Sequence, residues 1–158
     1  MAALLRPPRN LQQEGSTKMV QAREQTVEMQ AFKCELPDDD FQGRPKKTAR
    51  IVGSGLLGMG LQVVLEGGET NRHSHNNQDA IWLVLEGRAR FYGATDEDVF
   101  EVGQHEGVFI PMASPYWFES ASSEPLKILR IAATDKDAPS GRTNYEELKG
   151  WQGHLAAR

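Results

Sequence analysis

The chain has 158 residues, with 18 basic and 22 acidic side chains and a formal net charge of -4 at pH 7. This length suits one domain with one substantial core. Charges of both signs are spread along the chain without a basic stripe that would neutralise phosphates, which argues against a nucleic-acid-binding protein.

Neither the apolar runs nor the cysteine content indicates a membrane protein or an oxidising compartment. No apolar run approaches the roughly 20 residues that span a bilayer, and the stretch before the first prolines is too short for a secretory signal. Cys34 is the only cysteine, so it forms no internal disulfide, and a reducing compartment is the simpler interpretation. We therefore expect a soluble, cytoplasmic protein.

Residues 1–47 are predicted to form an N-terminal arm and a loop. The arm is polar and interrupted by prolines, and the loop DDDFQGRPKK contains turn formers beside charges of both signs. We interpret Lys46 and Lys47, at the end of this loop, as solvated surface residues. Attraction of an anionic substrate is the alternative.

Residues 48–133 are predicted to form an all-β domain. Short segments rich in β-branched, aliphatic and aromatic residues follow one another, separated by clusters of Gly, Pro, Asn, Asp or Ser. No long stretch between these segments carries the 3.6-residue period of an amphipathic helix. The pattern predicts a small jelly-roll β-barrel. The segments are TARIV, MGLQVVLE, AIWLVLEG, RARFYG, DVFEV, GVFIP, YWFES and LKILRIAA.

The remaining residues, 134–158, are predicted to form a C-terminal tail. DKDAPSGRTN has the composition of a loop, and YEELKGWQGH is either a short helical turn or an extended clasp. Trp151 in this tail requires apolar cover from its own domain or from a neighbour.

His73 and His75, which are separated by one residue, are the first candidate metal ligands or catalytic residues. Side chains at i and i+2 of a strand point to the same face, so both imidazoles project inward if that face is buried. Neutral imidazole binds Fe, Mn, Ni, Zn or Cu. Two histidines in this pattern are by themselves a weak indication of a divalent or ferric metal ion.

The residues around this pair make the pattern more specific. Gly67, five residues, His73-x-His75 and then Gly87 follow one another, and EGVFIPMASPYWF further on has Gly107 and Pro111 before an aromatic strand. In both stretches the sequence resembles the small single-domain cupins, over roughly residues 48–133. The resemblance implies a cupin jelly-roll barrel, a pocket for a small molecule, and a homodimer.

The same resemblance implies a metal held by three histidines and a glutamate, and here the sequence departs from it. Ala80 stands at the glutamate position, and the neighbouring Asp79 is either a ligand, an acceptor that orients a histidine, or an exposed loop acid. Tyr116 stands at the third-histidine position, as a ligand, a proton donor or a pocket wall. His105 and His154 are interpreted as surface residues.

Strand alternation predicts an aromatic pocket around these groups. Trp82 and Val84 share the face of Ala80, and Phe118 shares the face of Tyr116. Ligand cavities are commonly apolar around a small polar centre, so these three side chains are the predicted substrate pocket. The opposite face, with Ile81, Leu83 and Leu85, is expected to be covered by the other sheet or by a second subunit.

Three functions remain open at this point. The first is a metal-dependent enzyme of the dioxygenase, isomerase or lyase type, acting on a small, partly apolar organic substrate, with His75 and Tyr116 as catalytic residues. The second is a binding module whose metal site has been lost. The third is a metal-independent epimerase or cyclase with a histidine as base and Tyr116 as acid.

Overall fold

The structure, a computed structural model, describes residues 28–152. The predictions for residues 1–27 and 153–158, including the one for His154, concern positions outside the described residues. Ten strands occur in the described part: β1 (Lys46–Gly53), β2 (Leu57–Val64), β3 (His73–His75), β4 (Gln78–Glu86), β5 (Ala89–Tyr92), β6 (Val99–Val102), β7 (Gly107–Ile110), β8 (Trp117–Ser120), β9 (Leu126–Thr134) and β10 (Arg142–Asn144).

The strands form three antiparallel sheets. Five strands pair in the order β1-β2-β9-β4-β7, three in the order β6-β5-β8, and β10 pairs with β3. The predicted all-β class is confirmed, and each of the eight predicted segments contains a strand. None of the described residues forms a helix with the length and hydropathy of a membrane-spanning segment.

The inner face of the five-stranded sheet follows from alternation along β4 and β9. Ala80, Trp82 and Val84 are buried, whereas Ile81 between them is exposed. On β9 their cross-strand partners are Ala132, Arg130 and Ile128. Since paired residues share a face, the register places one arginine in an otherwise apolar inner row beside Trp82.

The core forms where this inner face meets the three-stranded sheet. Phe91 from β5 and Phe118 from β8 are almost fully buried, with ring centroids 4.9 Å apart, and Trp82 lies 4.9 Å from Phe118. Burying a side chain of this size contributes roughly 1.5–3 kcal/mol. The aromatic cluster therefore holds the two sheets together at the base of the site.

Two of the motif glycines have steric reasons for their positions. Gly87 has a φ of 82°, a conformation that side chains rarely adopt. A Cβ on Gly107 would lie 2.2 Å from the carbonyl oxygen of Trp82. The turn after β4 and the close approach of β7 to β4 thus depend on glycine.

Residues 142–152, here called the clasp, begin with β10 in a segment that was predicted to be a loop, and end in a turn in which the Gln152 N–H donates to the Lys149 carbonyl oxygen at 2.8 Å. Asn71 is fully buried before β3, and its Nδ2 donates to Asn144 Oδ1 and to the Glu146 carbonyl, both at 3.0 Å. Its Oδ1 accepts from Arg142 at 2.5 Å and from Gln152 at 3.3 Å. One amide therefore fastens residues 142–152 to the domain.

Replacing Asn71 by leucine, which has a similar size, is expected to lower the free energy of unfolding by about 2–4 kcal/mol, because four hydrogen-bond partners are left unpaired. Chemical denaturation measures this loss. Asn76→Ala, which removes one exposed hydrogen bond from Thr143, is the control and should cost under about 1 kcal/mol. Equal effects of the two variants would show that Asn71 does not fasten the clasp.

Candidate functional site

A cavity of about 630 Å³ opens between the inner face of the five-stranded sheet, β3 and the clasp. Five residues predicted from the sequence lie together in its wall: His73, His75, Trp82, Tyr116 and Phe118. Among the residues that line it, only Asp38 and Asp40 carry carboxylates, and both are exposed at its entrance. The interior of the cavity is therefore aromatic, with imidazole and phenol groups but without acidic side chains.

β3 brings the two imidazoles into contact, with ring centroids 5.2 Å apart. His73 Nδ1 lies 2.8 Å from the carbonyl oxygen of Asn71. A carbonyl only accepts hydrogen bonds, so Nδ1 carries the proton and Nε2 keeps its lone pair. Burial lowers the pKa of His73 to about 3, with Arg142 and His75 adding to the effect. Burial, then Arg130 and Arg142, lowers the pKa of His75 to about 4, so both rings are neutral at pH 7.

Tyr116 is held against His73 by a pair of backbone hydrogen bonds of 3.0 and 2.9 Å, and the two rings lie 4.6 Å apart. Its hydroxyl is buried and has no hydrogen-bond partner among the described residues. Burial raises the pKa of Tyr116, although Arg130 and Trp82 face the hydroxyl and partly offset the rise. The phenol is therefore protonated at pH 7 and presents a donor to the cavity.

Five cationic side chains line the cavity: Arg44, Lys46, Lys47, Arg130 and Arg142. The sequence offered an anion-attracting role for Lys46 and Lys47 only as the alternative. Lys46 begins β1, and its ammonium lies 5.0 Å from the Phe118 ring centroid and 5.9 Å from that of Trp151. The interpretation of Lys46 as a solvated residue is wrong, because the first residue of β1 points to the inner face. Burial, with Arg142 nearby, lowers the pKa of Lys46 to about 7.

Lys47 differs from its neighbour because it points toward the preceding loop. It forms an ion pair with Asp38 and donates to the carbonyl oxygens of Asp38 and Asp40 at 2.9 Å. Both lysines line the cavity, but Lys47 has an acidic partner in Asp38 whereas Lys46 has none within residues 28–152.

All five buried side-chain polar atoms that lack a partner in the described part of the chain belong to residues lining this one cavity. They are Gln62 Oε1, Thr70 Oγ1, Trp82 Nε1, Tyr116 Oη and Arg130 Nε. Buried polar atoms are nearly always hydrogen-bonded in folded proteins, so an unpaired group at a cavity wall calls for a partner inside the cavity. Nitrogen donors and hydroxyls dominate this set, which favours a partner rich in acceptors.

Two predicted site residues lie elsewhere. Asp79 shares the outer face of β4 with Ile81, and its Oδ1 accepts from the backbone N–H of Met112 at 2.8 Å. It neither lines the cavity nor contacts the histidines, because a one-residue step along a strand reverses the side-chain direction. Val84 is fully buried in the core and does not line the cavity either. His105 is exposed in the turn between β6 and β7.

The donor set does not fit a resident divalent cation. Within residues 28–152 no group of three or more His, Cys, Asp or Glu side chains is placed to hold a metal ion. His73 and His75 supply two neutral nitrogens, Tyr116 is protonated, and Arg130 and Lys46 add positive charge to the same cavity. Without an anionic ligand from the protein, a bound cation would meet uncompensated repulsion.

Part of the chain matches a known domain family. The cupin domain family (Cupin_2) matches residues 60–132. The uncharacterized protein MJ1618 of Methanocaldococcus jannaschii is 34% identical over 67 residues, which are 42% of this chain and 52% of that protein. The matched segment thus spans about half the length of this curated relative.

Two solved structures resemble the fold. An uncharacterized protein with a double-stranded β-helix domain from Klebsiella pneumoniae matches with a TM-score of 0.62 and 14% identity, over 76% of this chain and all of that one (100%). DMSP lyase DddQ from Ruegeria pomeroyi matches with a TM-score of 0.53 and 19% identity, over 68% of this chain and 55% of that one. Identities this low indicate a shared fold alone.

Replacing Tyr116 by phenylalanine is expected to leave thermal stability unchanged or slightly raised, because the hydroxyl that is removed has no hydrogen-bond partner within residues 28–152. Differential scanning calorimetry of the variant beside the wild type measures this. Tyr92→Phe is the control, since the Tyr92 hydroxyl donates to Glu119 at 2.8 Å and its loss should lower stability. A clear destabilisation by Tyr116→Phe would mean that the hydroxyl has a structural partner.

Proposed function

We propose that this protein is a metal-independent enzyme that binds a small organic anion and moves a proton on it. The match of residues 60–132 to the cupin domain family supports a small-molecule pocket. The observation that carries the proposal is the convergence of unpaired donors and uncompensated cations on one cavity. The reaction class is an isomerase or lyase type.

Charge supports an anionic substrate. Arg130 lines the cavity from β9, and its Nη2 donates to Gln78 Oε1 at 2.8 Å. Among the described residues it pairs with no carboxylate, and its Nε has no partner. A guanidinium presents a fork of donors that matches a carboxylate. An anionic group at Arg130 would satisfy Nε and neutralise a partly buried charge.

The donors beside Arg130 supply a place for a second oxygen. Trp82 Nε1 and Tyr116 Oη are both buried and lack a partner at full hydrogen-bond geometry within residues 28–152. They lie beside one another and beside Arg130, since Arg130 and Trp82 both lower the pKa of Tyr116. Donors fixed in position before the reaction stabilise negative charge that develops on a substrate oxygen. A carbonyl oxygen next to the reacting carbon would become enolate-like here as that carbon loses its proton.

The imidazoles supply the base. His73 Nε2 and His75 are neutral and stand beside Tyr116. In the empty cavity burial, and after it the surrounding cations, keep their pKa values low. A bound anion would remove the repulsion by the cations and so raise these pKa values toward the operating pH. A histidine would then take the proton from carbon, and Tyr116 would return one to the substrate.

The metal-dependent enzyme and the binding module are the competing functions. A metal-dependent enzyme would need a third ligand, and the carboxylate nearest in sequence, Asp79, is on the outer face. A binding module would use the same anion site without turnover. The neutral imidazoles next to an unpaired phenol favour proton transfer over binding alone.

Replacing Arg130 by methionine is expected to weaken the binding of small carboxylates by about 10- to 100-fold, because a charge-assisted hydrogen bond contributes roughly 1.5–3 kcal/mol. Isothermal titration with a panel of 2-oxo and 2-hydroxy carboxylic acids measures affinity, and NMR in D₂O detects exchange of their carbon-bound protons. Arg90→Met is the control, because Arg90 pairs with Glu101 and Glu119 outside the cavity.

Metal analysis of the same samples separates the competing functions. We expect well under one metal ion per chain and the same affinity and exchange rate after chelation. Near-stoichiometric metal that disappears in His73→Ala, with exchange abolished by chelation, would replace this proposal with the metal-dependent enzyme. Binding without any proton exchange in the panel would leave the binding module.

We further propose a homodimer through the outer face of the five-stranded sheet. Ile81 and Phe109 are paired across β4 and β7 and are 49% and 61% exposed. Ile131 and Met59 continue the same row across β9 and β2. An apolar row that crosses a sheet is more typical of an interface than of free surface.

The double change Ile81→Ser and Phe109→Ser is expected to shift the protein from dimer to monomer, because it removes the apolar centre of this row. Sedimentation equilibrium measures the association. The matched control is Phe100→Ser, an equally exposed aromatic on β6 in the other sheet. A wild-type monomer, or a variant that remains dimeric, would remove support for this face as the interface.

A further inference from the structure

We propose that Lys46 forms a second anion site in the cavity, so that the substrate carries two acidic groups, one bound at Arg130 and the other at Lys46. This inference rests on the proposed function, since it concerns the other end of the same ligand. The inference extends the proposed function by assigning a binding residue, Lys46, and a substrate class, a small dianion such as a dicarboxylate.

The surroundings of the Lys46 ammonium point to a missing partner. The group lies near the faces of the Phe118 and Trp151 rings, at 5.0 and 5.9 Å from their centroids. Within residues 28–152 it forms neither an ion pair with a carboxylate nor a hydrogen bond, whereas the adjacent Lys47 has an acidic partner and two carbonyl acceptors. Aromatic faces attract a cation but accept none of its three N–H groups in the way that an oxygen does.

The acidic residues near the entrance do not compensate Lys46. Asp38 is paired with Lys47, and Asp40 Oδ1 accepts the backbone N–H of Gln42 at 2.8 Å. The remaining charged groups that line the interior are arginines, and Arg142 repels the Lys46 ammonium. One anionic group at Arg130 would therefore leave the Lys46 end of the cavity uncompensated.

The sheet register separates the two sites. Lys46 pairs with Val64 on β2, and Val64 pairs with Leu126 on β9, four residues before Arg130. Four residues along a strand correspond to about 13 Å, so the two side chains enter the cavity from different levels of the same inner face. His73 and His75 line the same cavity as the two cations. Burial is the main cause of their lowered pKa values, and Arg142 and Lys46 contribute for His73, as Arg130 and Arg142 do for His75.

The clasp completes the Lys46 site. Trp151 is fixed by donation from its Nε1 to the Glu69 carbonyl oxygen at 3.0 Å, and the adjacent Gln152 is buried and bonded to Asn71. The ring near Lys46 is thus held in place by polar contacts on the far side of the indole. A fixed aromatic wall excludes water and strengthens the attraction between the ammonium and an anion.

Isothermal titration with matched probes tests the inference: glutarate and adipate as dianions, and butyrate and valerate as monoanions. In the wild type we expect the dianions to bind at least about tenfold more tightly, which corresponds to one additional charged contact. Lys46→Met should remove this preference while leaving monoanion affinity within about twofold. Lys127→Met, which breaks the surface pair with Glu86, should behave as wild type.

The arms of the experiment separate the two proposals. Monoanions that bind as tightly as dianions, or a Lys46→Met variant that loses both classes equally, would overturn the second site and leave the anion pocket at Arg130 intact. If neither class binds, the proposed function fails and the inference fails with it. Thermal denaturation checks that Lys46→Met folds, and Lys46→Arg should retain the dianion preference if charge is what matters.

Discussion

The site depends on partly buried positive charge that residues 28–152 do not fully compensate. β9 lies between β2 and β4, and its inner row alternates Ile128, Arg130 and Ala132. Arg130 could reach the outer face only if the register of β9 shifted by one residue. Such a shift would also move every other side chain of the strand to the opposite face. The guanidinium is therefore held beside Trp82, with its centre 5.9 Å from the centroid of the indole ring. Its charge affects the protonation of other groups in the cavity.

The protonation states of the other groups in the cavity are consistent with one another. The imidazoles of His73 and His75 are held neutral because burial and the nearby cations both disfavour imidazolium. Tyr116 is held protonated because burial raises the pKa of its phenol. A metal ion would add positive charge to this environment, whereas an organic anion removes the imbalance. The substitution of the metal-ligand positions by Ala80 and Tyr116 and the enrichment in cations thus favour the same kind of occupant.

The clasp links this chemistry to folding. Asn71 occupies the position between the domain and residues 142–152, and its side chain also holds Arg142 at the cavity entrance. Its backbone carbonyl fixes the tautomer of His73. One buried asparagine thus positions a cation, a base and, through Gln152, the segment that carries Trp151. Stability of the clasp and organisation of the site cannot be varied independently.

The sequence by itself determined most of the strands and the all-β class, but not β10, which lies in a segment predicted to be a loop. Alternation of apolar residues and the spacing of Gly67, His73, His75, Gly87, Gly107 and Pro111 are local properties, and five of the residues that they indicated, His73, His75, Trp82, Tyr116 and Phe118, line one cavity. The sequence also contained a signal for Arg130, because this residue interrupts the apolar alternation of LKILRIAA.

Only the tertiary structure decided the electrostatics. Lys46, Arg130 and Arg142 are far apart along the chain, and they meet because β1, β9 and β10 are brought together by pairings with other strands. Whether Lys46 or Lys47 faces inward, and whether Asp79 or Ala80 does, depends on a one-residue register that alternation cannot fix at the end of a strand. The charge of the pocket is a non-local property, and so is the kind of ligand that it favours.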